Sequence, residues 1–114
     1  MLKGLNAIVT GSTSGIGLGI ANVLASKGAN LVINGFGDAA AIEAERANLE
    51  AKYGVKVVYS GADISKPADV KAMVELCVSS FGSVDILVNN AGIQYTESVE
   101  AFPAERWDAI IAIN

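Results

Sequence analysis

Short, nearly unbroken apolar runs alternate along this chain with longer stretches in which apolar residues recur every three or four positions. Leu5-Asn6-Ala7-Ile8-Val9-Thr10 predicts a first strand. From Gly15, Ile16, Ile20, Val23 and Leu24 recur at helical spacing, and Gly28 supplies a stop. Leu31-Val32-Ile33-Asn34 predicts a second strand, ending in Gly35-Phe36-Gly37. A helix from about Asp38 carries Ile42, Leu49 and Tyr53 on one side and stops at Gly54. Val55 to Ser60 predicts a third strand. Ser65 then reads as an N-cap with Pro67 in the first turn, and Val70, Met73, Val74, Cys77 and Phe81 mark one face of a helix that closes at Gly82. Val84 to Val88 predicts a fourth strand. Pro103 opens a last helix pattern carrying Trp107, Ile110 and Ile111, with Asn114 inside it.

Strand–helix alternation with apolar strands indicates a parallel sheet covered on both faces. Right-handed crossovers then wind it both ways, with strand order 3-2-1-4. The fold class is α/β, a Rossmann-type doubly wound parallel sheet. Four strands and an unfinished helix leave an apolar fourth strand at an edge, a place such a strand avoids. We therefore expect residues 1–114 to be the N-terminal part of a single such domain, its first four strands and their helices, with the remainder outside this chain.

Composition narrows the picture. At 114 residues there is room for one domain, and 52% apolar residues allow a buried core. A net charge of −4 without a basic cluster argues against a nucleic-acid partner. One cysteine and no histidine exclude an internal disulfide and a Cys/His zinc site. Cys77, on an apolar helix face, reads as a buried structural thiol. The apolar stretch at the N-terminus is too brief for a signal sequence or a membrane span, so a cytoplasmic protein without a membrane partner is expected.

The candidate chemistry begins at Thr10-Gly11-Ser12-Thr13-Ser14-Gly15-Ile16-Gly17, between a strand and a helix. Free backbone N–H groups and a partial positive charge at a helix start favour a pyrophosphate. Gly11, Gly15 and Gly17 permit a tight turn and close approach. The pattern is Thr-Gly-x-x-x-Gly-x-Gly. It differs from Gly-x-Gly-x-x-Gly, because Ile20 stands where that rule wants a small residue, and it lacks the Gly-Lys-Ser/Thr of a Walker loop. Two further motifs leave strand ends beside it. Asp63 follows the third strand, where a carboxylate can accept from an adenine amino group while the Ile64 backbone serves the ring edge. Asn89-Asn90-Ala91-Gly92 follows the fourth, where amides can tie strand ends together and small residues can admit a ribose.

These motifs, with Asn114, resemble the single-domain branch of the short-chain dehydrogenase/reductase family along the whole chain. The resemblance implies an NAD(P)-dependent oxidoreductase, with Gly11, Thr13, Gly15, Ile16 and Gly17 at the pyrophosphate. It implies Ala62, Asp63 and Ile64 at adenine, and Asn90, Ala91 and Gly92 at the nicotinamide ribose. Asn114 matches the family's catalytic asparagine, which helps hold a water in the proton relay. A 2′-phosphate needs Arg or Lys near the second strand's end or in the glycine loop, and Asn34, Gly35, Phe36 and Ser14 are uncharged. NAD is therefore expected over NADP, with Phe36 covering one side of the adenosine.

Ile33 to Asp38 and Gly92-Ile93-Gln94 resemble the family's branch acting on small 3-hydroxy acids, D-3-hydroxybutyrate foremost, in which the matching glutamine contacts the substrate carboxylate. Gln94 is expected in that role. The family's general base is a Tyr with a Lys four residues later. Here Tyr53, Tyr59 and Tyr95 are followed at that spacing by Val57, Asp63 and Val99, so the 114 residues do not contain it. Alternatives are a member acting on another small alcohol, sugar or 3-oxoacyl substrate, and a non-catalytic dinucleotide-binding protein. A flavodoxin-like FMN binder ranks last, because it leaves Asp63 and Asn89 to Gly92 without a role. Family members are commonly homo-oligomers, so a tetramer of the intact protein is expected from the resemblance.

Overall fold

Period-two alternation decides which helix each strand residue meets. The computed structural model describes residues 1–90 and the backbone of Ala112 and Ile113. Its strands are β1 (Asn6–Val9), β2 (Asn30–Asn34), β3 (Val57–Ser60), β4 (Ile86–Val88) and β5 (Ala112–Ile113). The helices are α1 (Gly15–Ser26), α2 (Ala39–Tyr53) and α3 (Pro67–Phe81). All strand pairings are parallel, in the order β3-β2-β1-β4-β5. Ala7 and Val9 of β1, with Leu31 and Ile33 of β2, pack on one face against Ala21 and Ala25 of α1 and Leu49 of α2. Ile8, Val32 and Leu87 point the other way, onto Met73, Val74 and Cys77 of α3. The sheet is thus wound on both faces, and its carboxyl ends meet at β1 and β4, where the strand order turns back.

Four expectations need correction. The fourth strand is not at an edge, because β5 pairs with it through Leu87 and Ala112 and through Val88 and Ile113. Ala112 and Ile113 are therefore extended where the apolar spacing predicts a helix. A two-residue strand is too short to carry its own period, and the neighbouring β4 backbone decides it. Along α1, Ile16 and Val23 face outward. The fully buried positions are the small residues Gly17, Ala21 and Ala25, while Ile20 and Leu24, as expected, pack partly buried against the same core. Finally, Ser65 does not cap α3. The N-cap is Lys66, without a side-chain bond, and Ser65 turns back to Asp63. Asp38, in contrast, caps α2 by accepting from the Ala41 N–H at 2.9 Å.

The amino ends of the strands are stitched by polar side chains. Asp85 Oδ2 accepts from the Asn6 N–H at 2.8 Å and from the Ser83 hydroxyl at 3.0 Å. Asn30 donates through Nδ2 to Asn6 Oδ1 at 3.0 Å and accepts at Oδ1 from the Lys56 N–H at 3.0 Å. Among the described residues no buried side-chain nitrogen or oxygen lacks a partner.

Candidate dinucleotide site

β1 ends in a turn that is held from both sides. Thr10 donates its N–H to the Val88 carbonyl at 3.0 Å and its hydroxyl to Asn89 Oδ1 at 3.3 Å, joining the ends of β1 and β4. Gly11 follows with φ +60°, a left-handed conformation that favours glycine. Its carbonyl accepts from Asn90 Nδ2 at 3.2 Å. Ser12 is fully buried; its hydroxyl donates to the Val9 carbonyl at 2.7 Å, and its N–H donates to the Asn34 carbonyl at 2.6 Å. Hydrogen bonds to the ends of β1, β2 and β4 thus tie the turn down on both sides.

The first turn of α1 sits directly on this loop. A Cβ on Gly17 would lie 2.0 Å from the Gly11 carbonyl oxygen and 2.7 Å from Asn90 Nδ2, so only glycine fits. At Gly15, φ is +59° and the space where a side chain would stand is open. The N-cap Ser14 makes no side-chain bond to the helix, and no acidic residue lies in the first turn. The positive end of the helix is therefore left to solvent, with Ile16 79% exposed beside it. A tight glycine turn, an uncapped helix start and open space above Gly15 fit a pyrophosphate group.

The β3–α3 loop provides the second part of the site. Asp63 Oδ1 accepts from the Ser65 N–H at 2.9 Å and from the Ser65 hydroxyl at 2.6 Å. The Ser65 hydroxyl first, then its N–H, with Lys66 adding charge, hold the Asp63 carboxyl below the usual carboxylate range. Asp63 is thus an ionised acceptor at neutral pH, and its own N–H donates to Asp69 Oδ2 at 2.8 Å. Ala62 and Ile64 flank it, half-buried. At the end of β2, Phe36 is 71% exposed, on the same carboxyl edge of the sheet as the glycine loop.

The structure thus gathers Gly11, Thr13, Gly15, Ile16, Gly17, Phe36, Ala62, Asp63, Ile64 and Asn90 at the carboxyl edge of the sheet. Ala91, Gly92, Gln94 and Asn114 lie outside the described residues. Two residues that the motifs did not single out hold the edge together. Buried Asn34 accepts at Oδ1 from the Gly11 N–H at 3.2 Å and donates through Nδ2 to the Ser60 and Ala62 carbonyls, each at 3.0 Å. Tyr59, from β3, donates its hydroxyl to the Gly35 carbonyl at 2.5 Å. Gly35 in turn lies so close to Thr13 that a Cβ there would stand 2.2 Å from Thr13 Oγ1. Asn34 had one visible signal, an amide ending an otherwise apolar strand. Tyr59 had none, since its partner is a backbone atom 24 residues away.

Among the described residues no helix is long and apolar enough to cross a membrane. Comparison with known proteins agrees with the geometry. The model of the short chain dehydrogenase family matches residues 5–114. Over its whole length the chain is 60% identical to a D-beta-hydroxybutyrate dehydrogenase of Cupriavidus necator, covering 43% of that protein. It is 47% identical over 108 residues, 95% of the chain, to a D-beta-hydroxybutyrate dehydrogenase of Rhizobium meliloti, covering 42% of it. Among solved structures it resembles L-sorbose reductase from Gluconobacter frateurii complexed with NADPH and L-sorbose, with a TM-score of 0.73 and 43% identity. That match covers 80% of this chain and 34% of the reductase. The chain spans less than half the length of the two D-beta-hydroxybutyrate dehydrogenases it matches.

Proposed function

The chain belongs to the short chain dehydrogenase family, and from that premise we propose that it forms the N-terminal, dinucleotide-binding part of an NAD-dependent dehydrogenase. The substrate class is a small 3-hydroxy acid interconverted with its 3-keto acid, foremost D-3-hydroxybutyrate and acetoacetate. The observation that carries the binding role is the glycine turn stacked against Gly17, which leaves the start of α1 uncapped and without acidic residues. There the N–H groups of Gly15, Ile16 and Gly17 hold the pyrophosphate, and Thr13 lines the loop. Asp63 accepts from the adenine amino group, with Ala62 and Ile64 along the ring edge. Phe36 covers the adenosine, and Asn90, Ala91 and Gly92 border the nicotinamide ribose.

When bound, NAD supplies the acceptor for the hydride that leaves the carbinol carbon. Gln94 donates its amide N–H to the substrate carboxylate, which orients the 3-hydroxyl. Asn114 holds a water in the path of the departing proton. The Tyr and Lys that complete the family's site are supplied outside these 114 residues. The intact enzyme is cytoplasmic and a homotetramer.

NAD is chosen over NADP by charge. Residues 11–17 and 34–38 contain no Arg or Lys to meet a 2′-phosphate, and Asp38 adds a negative charge nearby. The likeness to an NADPH-bound sorbose reductase favours a second reading, a reductase of sugars or related carbonyls. A substrate screen of the intact enzyme separates the two. We expect turnover of D-3-hydroxybutyrate with NAD and none of L-sorbose with NADPH; the reverse preference would replace the first reading by the second. In the same assay Gln94→Ala should raise KM for the hydroxy acid by about tenfold, the equivalent of ~1.4 kcal/mol, with KM for NAD unchanged. An unchanged KM for the acid would remove Gln94 from the substrate site.

A further inference from the structure

We propose that Asn34 is a positioning residue for dinucleotide binding, holding the glycine loop and the adenine loop at a fixed separation. The proposal rests on the dinucleotide-binding role argued above. The two loops come from strands that do not touch, since β2 lies between β1 and β3. One side chain at the end of β2 bridges them. Asn34 Oδ1 accepts from the Gly11 N–H, and its two Nδ2 hydrogens go to the Ser60 and Ala62 carbonyls. Its backbone completes the brace. The Asn34 N–H donates to the Ser12 hydroxyl at 3.0 Å, and its carbonyl accepts from the Ser12 N–H.

The amide is fully committed: each Nδ2 hydrogen and Oδ1 has a partner, and only 2% of the residue is exposed. No other uncharged side chain of this size offers one acceptor and two donors in that geometry. Aspartate keeps the acceptor for Gly11 but turns two attractive contacts into a carboxylate facing two carbonyl oxygens. Asn34 therefore does not contact the dinucleotide. It acts through Gly11, at the start of the pyrophosphate turn, and through Ala62, the residue before Asp63. The pyrophosphate and the adenine are covalently joined through one ribose, so an error in loop separation weakens both contacts together.

The fold supplies its own control. Asn30 sits on the same strand, four residues earlier, and makes the same kind of cross-strand bonds to Asn6 and Lys56. Those bonds lie at the opposite end of the sheet. If both asparagines serve only to hold strands together, Asn34→Ser and Asn30→Ser will lower the melting temperature and leave the folded enzyme's affinity for NAD untouched.

The test compares both variants in the intact enzyme, measuring Tm, KM for NAD, kcat at saturating NAD, and binding of AMP, which probes the adenosine half alone. We expect Asn34→Ser to raise KM for NAD by about tenfold and leave kcat within about twofold. Asn30→Ser should lower Tm with KM unchanged. AMP should bind Asn34→Ser less weakened than NAD does, because it does not need both loops at the full span. If Asn34→Ser fails to fold, Asn34→Thr, which likewise lacks the amide but whose β-branched side chain suits a strand, takes its place in the same comparison. Parallel behaviour of the Asn34 and Asn30 variants, with KM for NAD within twofold of the parent, would overturn the proposal. Failure of the parent enzyme to bind NAD would instead overturn the dinucleotide reading on which it rests.

Discussion

At the scale of single residues, contact geometry explains choices that chemistry alone leaves open. Gly17 is glycine because the Gly11 carbonyl occupies the place of its side chain. Cys77 is an inert thiol, buried and donating to the Ser83 carbonyl at 3.3 Å. Burial, and after it the negative charge of Asp85, pushes the Cys77 thiol up to about 12. In an unfolded chain a thiol ionises near ~8.5, so between those values the unfolded state has released a proton that the folded state keeps. Stability should therefore fall as pH rises above ~8.5, by up to ~1.4 kcal/mol per pH unit from this group. Urea unfolding across that range should show a shallower decline in Cys77→Val than in the parent. Equal slopes would mean that the thiol ionises alike in both states.

Among elements, α1 carries the central trade between stability and binding. Its N-cap Ser14 is exposed and makes no side-chain bond, although the position favours a capping acceptor. An aspartate there would bond to the free N–H groups and place a negative charge at the positive helix end, worth ~1 kcal/mol to the helix. The same carboxylate would occupy and repel the pyrophosphate. Ser14→Asp should thus raise Tm of the ligand-free enzyme while weakening NAD at least about tenfold. A gain in Tm with NAD affinity intact would show that the pyrophosphate does not use this helix end. The cap of α2 offers a contrast. There Asp38 accepts from the Ala41 N–H at 2.9 Å and the helix start is capped.

Elements also show what the sequence made legible. The first four strands, three helices and the order β3-β2-β1-β4 follow from apolar runs and glycine stops, because parallel strands buried on both faces must be apolar throughout, whereas at β5 the spacing predicts a helix. The outward stance of Ile16 and Val23 was not legible. Helical spacing ranks positions by hydrophobicity, whereas the positions fully buried here are the small residues Gly17, Ala21 and Ala25, the first of them set by the Gly11 carbonyl. The cap at Lys66 was equally hidden, since Ser65 has a competing partner in Asp63.

For the molecule as a whole, the site is a property of strand order. The glycine loop and Asn90, 79 residues apart in sequence, meet because β1 lies between β2 and β4 at the point where the winding reverses. The glycine loop, Asp63 and Asn90 were readable as local motifs. The amide that spans two of them, Asn34, depends on three strands at once, and no spacing rule reports that. The lack of Arg or Lys at residues 34–38 and in the glycine loop makes the overall claim a matter of charge, since NADH and NADPH differ at that end by one phosphate. The most direct test is a fluorescence titration of the intact enzyme with both. Charge selection at the end of β2 requires NADH to bind at least about tenfold more tightly, a difference of ~1.4 kcal/mol. Equal affinity, or tighter binding of NADPH, would contradict it.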